Sequence, residues 1–394
     1  MSREAGMPLW IGAVVVCALT ALAGGEVAYT VTDLGTFGGL DSWGYAINNH
    51  GQVVGSAANG AWEFLWDPET GVTDLSAAIG QPTKVWVRDI NDLGEFVYVV
   101  AVGDDRDSYL WDGTGQARYV GRQVANFVNN SGMVLGLADL AARVPSTVVW
   151  DDRGGIRNVG FLPGGQWSEG RGLNNLGQVV GESTTDIPAA GHPLQRYYID
   201  KDVQHHAFLW SEAEGMRDLG TLGGDIAWAW AINDSGTVVG GSYTGEGDDV
   251  HAFVWDEAGG MRDLGALAGS FGSEAVGINS CGQVIGASEF SVPWGSTNGA
   301  FVWDSTYGMR ALADLVPNGG WYDLFPIDIN DRGQILAIAY SGVPVEASFA
   351  HPVVLTPIPE PGVAALGVCA LGVLIMRRRR KPGAILGKWG QIPK

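Results

Sequence analysis

Trp43, Trp86, Trp228 and Phe325 each stand five residues before an asparagine that opens a short polar turn. Trp167, Phe271 and Trp321 occupy the corresponding stretches at looser spacing. Aromatic faces beside glycine-rich backbone and carboxylates such as Asp225, Glu274 and Asp323 offer one kind of chemistry. A sugar ring can stack on the aromatic face while its hydroxyls bond to acid oxygens. The same rings could instead line an inner strand and pack against neighbouring elements.

Two other groups could bind something. Residues 183–205 form the longest insertion and carry Arg196, Tyr197, Tyr198 and Asp200. Long loops on rigid scaffolds often carry function, although simple elaboration is the alternative. Asp104, Asp105 and Asp107, and then Glu246, Asp248 and Asp249, make oxygen-rich loops that could take Ca2+. Neither loop has EF-hand spacing, so no metal site is assigned and solvated acidic loops are the competing reading. No H-E-x-x-H, G-x-S-x-G or phosphate-binding glycine loop occurs, and no catalytic residue or cofactor is assigned.

The elements that must position these residues come from self-comparison. AINDSGTVVGG at 231–241 recurs as AINNHGQVVGS, DINDLGEFVYV, FVNNSGMVLGL, GLNNLGQVVGE, GINSCGQVIGA and DINDRGQILAI. The marker asparagines are Asn48, Asn91, Asn129, Asn174, Asn233, Asn279 and Asn330, at spacings of 43, 38, 45, 59, 46 and 51 residues. An apolar run, Asn, two polar residues, Gly and a Val-rich run describe a β-hairpin, with strands A and B. An aromatic strand C follows, such as HAFVWD at 251–256, then a Gly turn and strand D. Four short strands per 38 to 59 residues is the content of one propeller blade.

The ends complete the count. Residues 29–35 read as a strand D with no blade before them, and 351–356 as a strand C with no D after it. The spacing therefore predicts an all-β, seven-bladed propeller of four-stranded blades over 24–356, closed by the N-terminal strand in the last blade. An open solenoid would want distinct caps instead. Helix is not expected within the ring, because no segment sustains a 3.6-residue period. In this arrangement the D–A and B–C loops share one face, which is where the first aromatic set falls. The strand-C tryptophans (Trp66, Trp111, Trp150, Trp210, Trp255 and Trp303) recur once per unit and are expected to pack between blades.

Charge excludes one class of partner. Between 24 and 360 lie 42 acidic and 15 basic residues, a net charge of −27, which repels a phosphate backbone. Of three cysteines only Cys281 falls in this interval, so it contains no cysteine pair.

Both ends read as addresses. An apolar run at 9–22 followed by Ala21-Leu22-Ala23 predicts a signal peptide over 1–23, cleaved between Ala23 and Gly24. Pro359-Glu360-Pro361 precedes an apolar stretch at 362–376 and then Arg377, Arg378, Arg379 and Arg380. That stretch is short for a spanning helix, but the arginines can snorkel and hold the cytoplasmic side. The segment 357–394 resembles the PEP-CTERM sorting signal of Gram-negative bacteria, with additional residues at 381–394. The resemblance implies a C-terminal transmembrane helix, recognition by an exosortase, and display at the cell surface, outer membrane or extracellular matrix. An ordinary C-terminal anchor is the alternative.

The middle units resemble the HAF-type extracellular repeat through His206-Ala207-Phe208, His251-Ala252-Phe253 and the DLGTLGG of 218–224. Units two and three depart from it in lacking the aromatic–Trp pairing and the Gly-Gly loop. Together the two resemblances imply an exported, non-enzymatic binding or scaffolding propeller. Its partners would be the secretion machinery and exosortase, then a glycan, matrix component or surface protein associated with exopolysaccharide or biofilm. An extracytoplasmic polysaccharide-active enzyme, lyase or glycosidase, is the other reading, since acid pairs across repeats cannot be read from spacing.

Overall fold

The computed structural model describes residues 28–80, 84–103, 105–122, 124–138, 146–189, 203–245, 249–292, 295–316, 323–341 and 349–358. Residues Ala28–Pro357 form one compact unit. The segment 1–23 expected to be a signal peptide, with Ala23 and Gly24, and the segment expected to be a sorting signal, with Pro359, Glu360, Pro361, the stretch 362–376 and Arg377 to Arg380, lie outside the described residues. Among the described residues no helix is long and apolar enough to cross a membrane.

Seven antiparallel four-stranded sheets surround an axis. The chain enters on β1 (Tyr29–Asp33), then builds blade 1 from β2 (Trp43–Ile47), β3 (Val53–Ala57), β4 (Trp62–Asp67) and β5 (Gly71–Asp74). Strands A of blades 2 to 7 are β6 (Val85–Ile90), β10 (Val124–Val128), β14 (Ser168–Leu173), β18 (Ala227–Ile232), β22 (Gly272–Ile278) and β26 (Asp323–Ile329). Strands B, C and D follow each of them in order, except in blade 7. There β1 supplies the outer strand, pairing antiparallel with β28 (Phe349–Pro357) from Tyr29↔Pro357 to Asp33↔Val353. First and last segments thus share one sheet, and no blade is left with a missing edge.

Every strand A carries a register shift one residue before the last ladder segment, at Tyr45, Arg88, Asn126, Arg171, Trp230, Val276 and Ile327. A bulge adds twist where the blades crowd together and re-aims one side chain per blade.

The strand-C tryptophans pack as their periodicity predicts. Trp150 joins Val97 and Leu110 of the preceding blade, Trp210 joins Leu135 and Val149, and Trp255 joins Val180 and Ala207. The following aspartate then shapes the C–D turn: Asp256 Oδ1 accepts the N–H groups of Ala258 and Gly259, and its Oδ2 takes Arg262 at 2.6 Å. The HAF histidines serve the sheet as well. His206 Nδ1 meets Asp218 and His251 Nδ1 meets Asp263, each at 2.8 Å across strands C and D.

Two single-turn helices depart from the all-strand expectation: α1 (Leu75–Ile79) after β5, and α2 (Leu312–Leu315) before blade 7. Asp74 caps α1 by accepting the Ala77 N–H at 2.9 Å, and Gly80 ends it in the left-handed conformation. Helices of five and four residues are too short to register as a 3.6-residue period.

Candidate functional site

The axis ends differently on its two faces. On the A–B face the seven marker asparagines, each at most 7% exposed, form a closed ring. Each Nδ2 donates to the main-chain carbonyl of the next marker, from Asn48 to Asn91 and onward until Asn330 returns to Asn48, at 2.9 to 3.2 Å. Each Oδ1 accepts N–H groups two and four residues later, as in Asn174 with Leu176 and Gln178. A second ring uses the next residue along: Asn49 N–H donates to Asp92 Oδ1, Asp92 to Asn130, Asn130 to Asn175, and Asn175 to Asp234. It is interrupted at Ser280, whose side chain is too short to reach Asp234. The rings enclose an axial cavity of about 210 Å³.

The D–A and B–C face is chemically divided. The positions five residues before the markers are Phe325, Trp43 and Trp86 in blades 7, 1 and 2, an aromatic arc over three adjacent blades. Trp43 is 39% exposed and Phe325 38%, with Tyr45 at the bulge of the same blade 36% exposed and bonded to Ser56 at 2.7 Å. In blades 4 to 6 the same positions are Glu169, Trp228 and Glu274. Trp228 and Trp230 both donate their indole N–H to Glu274 of the next blade. Trp228 lies over Gly241, and Trp230 carries the Arg171 guanidinium 4.4 Å above its ring. Arg171 also bridges Glu169 at 3.1 Å and Glu182 at 2.5 Å.

Glu182 is 2% exposed, and its Oε2 lies 3.9 Å from Nδ1 of the fully buried His205. Burial pushes its carboxyl up, against the pull of Arg171. In blade 1, Glu63 is equally buried; desolvation lifts it to about 7, although it accepts the Val87 N–H at 3.1 Å.

Asp89 and Asp328 stand deeper, two residues before their markers, and accept the N–H groups of Val128 and Ile47 at 2.8 and 2.9 Å. Desolvation pushes Asp89 up to about 7 and Asp328 to about 6, outweighing the backbone donors, and the Asp328 charge adds to the rise at Asp89. The ordinary value is 3.8, so the folded state binds these protons more tightly than the unfolded chain does. Their contribution to stability is therefore greatest at low pH, declines as pH rises from about 4 through 6 to 7, and is flat above that. Glu63 titrates in the same direction. Carboxyls held low, such as Asp151 at about 2 beside Arg157, lose their contribution only in stronger acid. The urea midpoint should fall between about pH 5 and 8, and Asp89→Asn should flatten that decline by on the order of 2 kcal/mol. A midpoint that rises across this range, or a slope that Asp89→Asn leaves unchanged, would count against the assignment.

The aromatic residues nominated from the sequence are separated by the structure. Trp43, Phe325 and Phe271, the last 42% exposed, remain open. Trp228 is braced by Glu274 and Tyr243, and Trp167 packs on His205 with ring centroids 5.9 Å apart. Trp86 is flanked by Lys84 and Arg106, each 5.5 Å from its ring. Asp225 accepts from Gln204 at 3.0 Å, and Asp323 is half-buried with its carboxyl raised by desolvation. Trp321, Tyr197, Tyr198, Arg196 and Asp200 lie outside the described residues, as do Asp104, Glu246 and Asp248 of the proposed calcium loops. Among the described residues no group of three or more His, Cys, Asp or Glu side chains could hold a metal ion.

Arg88, Arg171 and Glu182 were not nominated from the sequence. The signal for the two arginines was available: an arginine three residues before a marker asparagine occurs only in units two and four.

No family model matches the chain, and no curated protein matches it in sequence. Solved structures with a similar arrangement include a gluconolactonase from Xanthomonas campestris, at 11% identity over 83% of this chain and 89% of that one, with a TM-score of 0.39. A streptogramin B lyase structure matches at 9% identity over 84% of this chain and 98% of that one, with a TM-score of 0.47. Dipeptidyl peptidase 4 of Porphyromonas gingivalis matches at 10% identity over 84% and 60% of the two chains, with a TM-score of 0.45. These likenesses concern the architecture, and no chemistry is carried over from them.

Proposed function

We propose that this chain is an exported cell-surface or matrix propeller that binds glycan on its D–A and B–C face, without catalysing a reaction on it. The observation that carries the reading is the contrast between two aromatic sets. Strand-C rings such as Trp210 and Trp255 are buried at 7% and 5% exposure, while Trp43, Tyr45 and Phe325 stay open on adjacent blades of one face. Large aromatic rings left uncovered in a row bind by stacking, and a sugar chain offers the matching flat apolar faces. The leader at 1–23 and the Pro359-Glu360-Pro361, apolar and arginine sequence support export and exosortase sorting to a Gram-negative surface.

The test is retention of the full-length chain on immobilised polysaccharides. Trp43→Ala and Phe325→Ala should each weaken binding by about 10-fold or more while leaving the thermal transition in place. Parent protein that ignores every polysaccharide would remove the reading.

A second reading, a polysaccharide lyase or glycosidase, is favoured by Glu182, a buried carboxyl with a raised pKa beside His205 and Arg171. Release of unsaturated or reducing ends that Glu182→Gln abolishes would establish it over simple binding.

A further inference from the structure

Resting on the glycan-binding reading, we infer that blade 2 holds an anion subsite at the end of the aromatic arc, formed by Lys84, Arg88 and Arg106 around Trp86, which takes the carboxylate or sulfate group of an acidic glycan.

The argument begins with one repeated position. Arg88 and Arg171 occupy the same bulge, three residues before Asn91 and Asn174. Blade 4 surrounds its arginine with carboxylates, Glu169 at 3.1 Å and Glu182 at 2.5 Å. Blade 2 replaces both, carrying Trp86 where blade 4 has Glu169 and Val99 where it has Glu182. Among the described residues Arg88 has no carboxylate within ion-pair distance, and its buried Nε has no hydrogen-bond partner. The nearest acid is Glu63. Its own carboxyl is held to the Val87 N–H, and it lies close enough to sense both Arg88 and Lys84 without forming an ion pair with either.

Lys84 and Arg106 strengthen the case. Both are exposed, both stand 5.5 Å from the Trp86 ring, and among the described residues neither has a carboxylate partner. Several other arginines of the ring, Arg118, Arg157, Arg217, Arg262 and Arg310, each pair with an acid. Two cations against one indole, with Arg88 two residues along the same strand, are a local reversal of charge in a domain carrying −27. A partly buried guanidinium without a counter-ion is costly, and an anionic ligand supplies what Glu169 and Glu182 supply in blade 4. Trp43 holds the equivalent position of the adjacent blade 1, so a sugar chain running from it toward blade 2 would bring an acidic substituent to the subsite.

The experiment is calorimetric titration of the full-length chain with oligogalacturonate, dextran sulfate and neutral dextran at two salt concentrations. At least one acidic probe should bind more tightly than dextran and lose affinity with salt. Arg88→Gln, and separately the pair Lys84→Gln and Arg106→Gln, should weaken it by about 10-fold while leaving dextran binding unchanged. The two acidic probes tell carboxylate from sulfate. Arg153→Gln, an exposed change in a C–D turn, controls for net charge. Using two separate sets of variants keeps the test open if Arg88→Gln perturbs the fold. Acidic binding that both sets leave unchanged, or acidic probes no better than dextran, would overturn the subsite. If dextran alone binds and depends on Trp43, the subsite falls and the glycan-binding mouth stands. If no probe binds, both fall.

Discussion

Asn174→Asp is expected to lower the free energy of unfolding by about 3 to 5 kcal/mol at neutral pH. The parent amide is fully used: Oδ1 accepts two N–H groups, and Nδ2 donates to Gln178 Oε1 at 2.7 Å and to the Asn233 carbonyl at 3.0 Å. A carboxylate keeps the two acceptor bonds, loses both donors, and sets a charge at 4% exposure against carbonyl oxygens. Asn174→Ala should also destabilise, and Asn174→Asp should recover in acid as the carboxyl protonates. Asn175→Ser, in the second ring, should cost less than about 1 kcal/mol, because Ser280 already occupies that position in blade 6. Urea unfolding of the variants is the measurement. A loss below about 1 kcal/mol for Asn174→Asp would mean that the ring is incidental to holding the blades together. The expected size reflects closure: the bonds link successive blades and end by joining residues 330 and 48, so one break opens the innermost circle.

Gly240→Ala is the second large effect, about 3 kcal/mol of destabilisation or more. Gly240 stands on strand B opposite Ala229, next to the bulge at Trp230. A Cβ there would run into the Trp228 carbonyl oxygen and come within 2.9 Å of the Phe253 ring. Gly55 and Gly286 meet the rings of Phe64 and Phe301 in the same way. The glycine of the Val-Val-Gly run and the Phe of His-Ala-Phe therefore share one volume, glycine yielding the space that the aromatic fills. Blade 2 divides it differently, with Tyr98 at the glycine position stacked on Tyr109 at 5.4 Å. Thermal unfolding of Gly240→Ala, alone and with Phe253→Leu, separates the two obstacles. Rescue by Phe253→Leu identifies the ring as the barrier, and no rescue identifies the carbonyl. A fully stable single variant would contradict the packing.

The aromatic mouth and the basic subsite make a connected functional picture. The arc has open rings on blades 7 and 1, while in blades 4 and 5 Arg171, Trp228 and Trp230 are engaged by Glu169, Glu182 and Glu274. A ligand that needs aromatic faces and a positive charge meets both on adjacent blades. Trp86 illustrates the change in role: nominated as a stacking platform, it is the support for Lys84 and Arg106.

The sequence by itself determined the blade number, the strand alternation and the closure. These depend on local chemistry: Asn and Gly set each A–B turn, strand-C tryptophans recur with the unit, and complementary half-blades stand at the two ends. It also placed the aromatic set on the D–A face, since five residues before a turn is a fixed distance along a strand. The single-turn helices at Leu75–Ile79 and Leu312–Leu315 escaped because one turn has no period to detect.

Only the tertiary structure decided which aromatics stay open, which arginine is neutralised, and that the marker asparagines bond to one another. Each of those outcomes depends on a residue in another strand or the next blade. Trp228 is tied down by Glu274, 46 residues away, and Arg171 by Glu182 across one ladder. A ring brings equivalent positions of adjacent blades together whatever the length of chain between them. Spacing along the chain therefore identifies which residues are equivalent, and only the closed circle decides which of them meet.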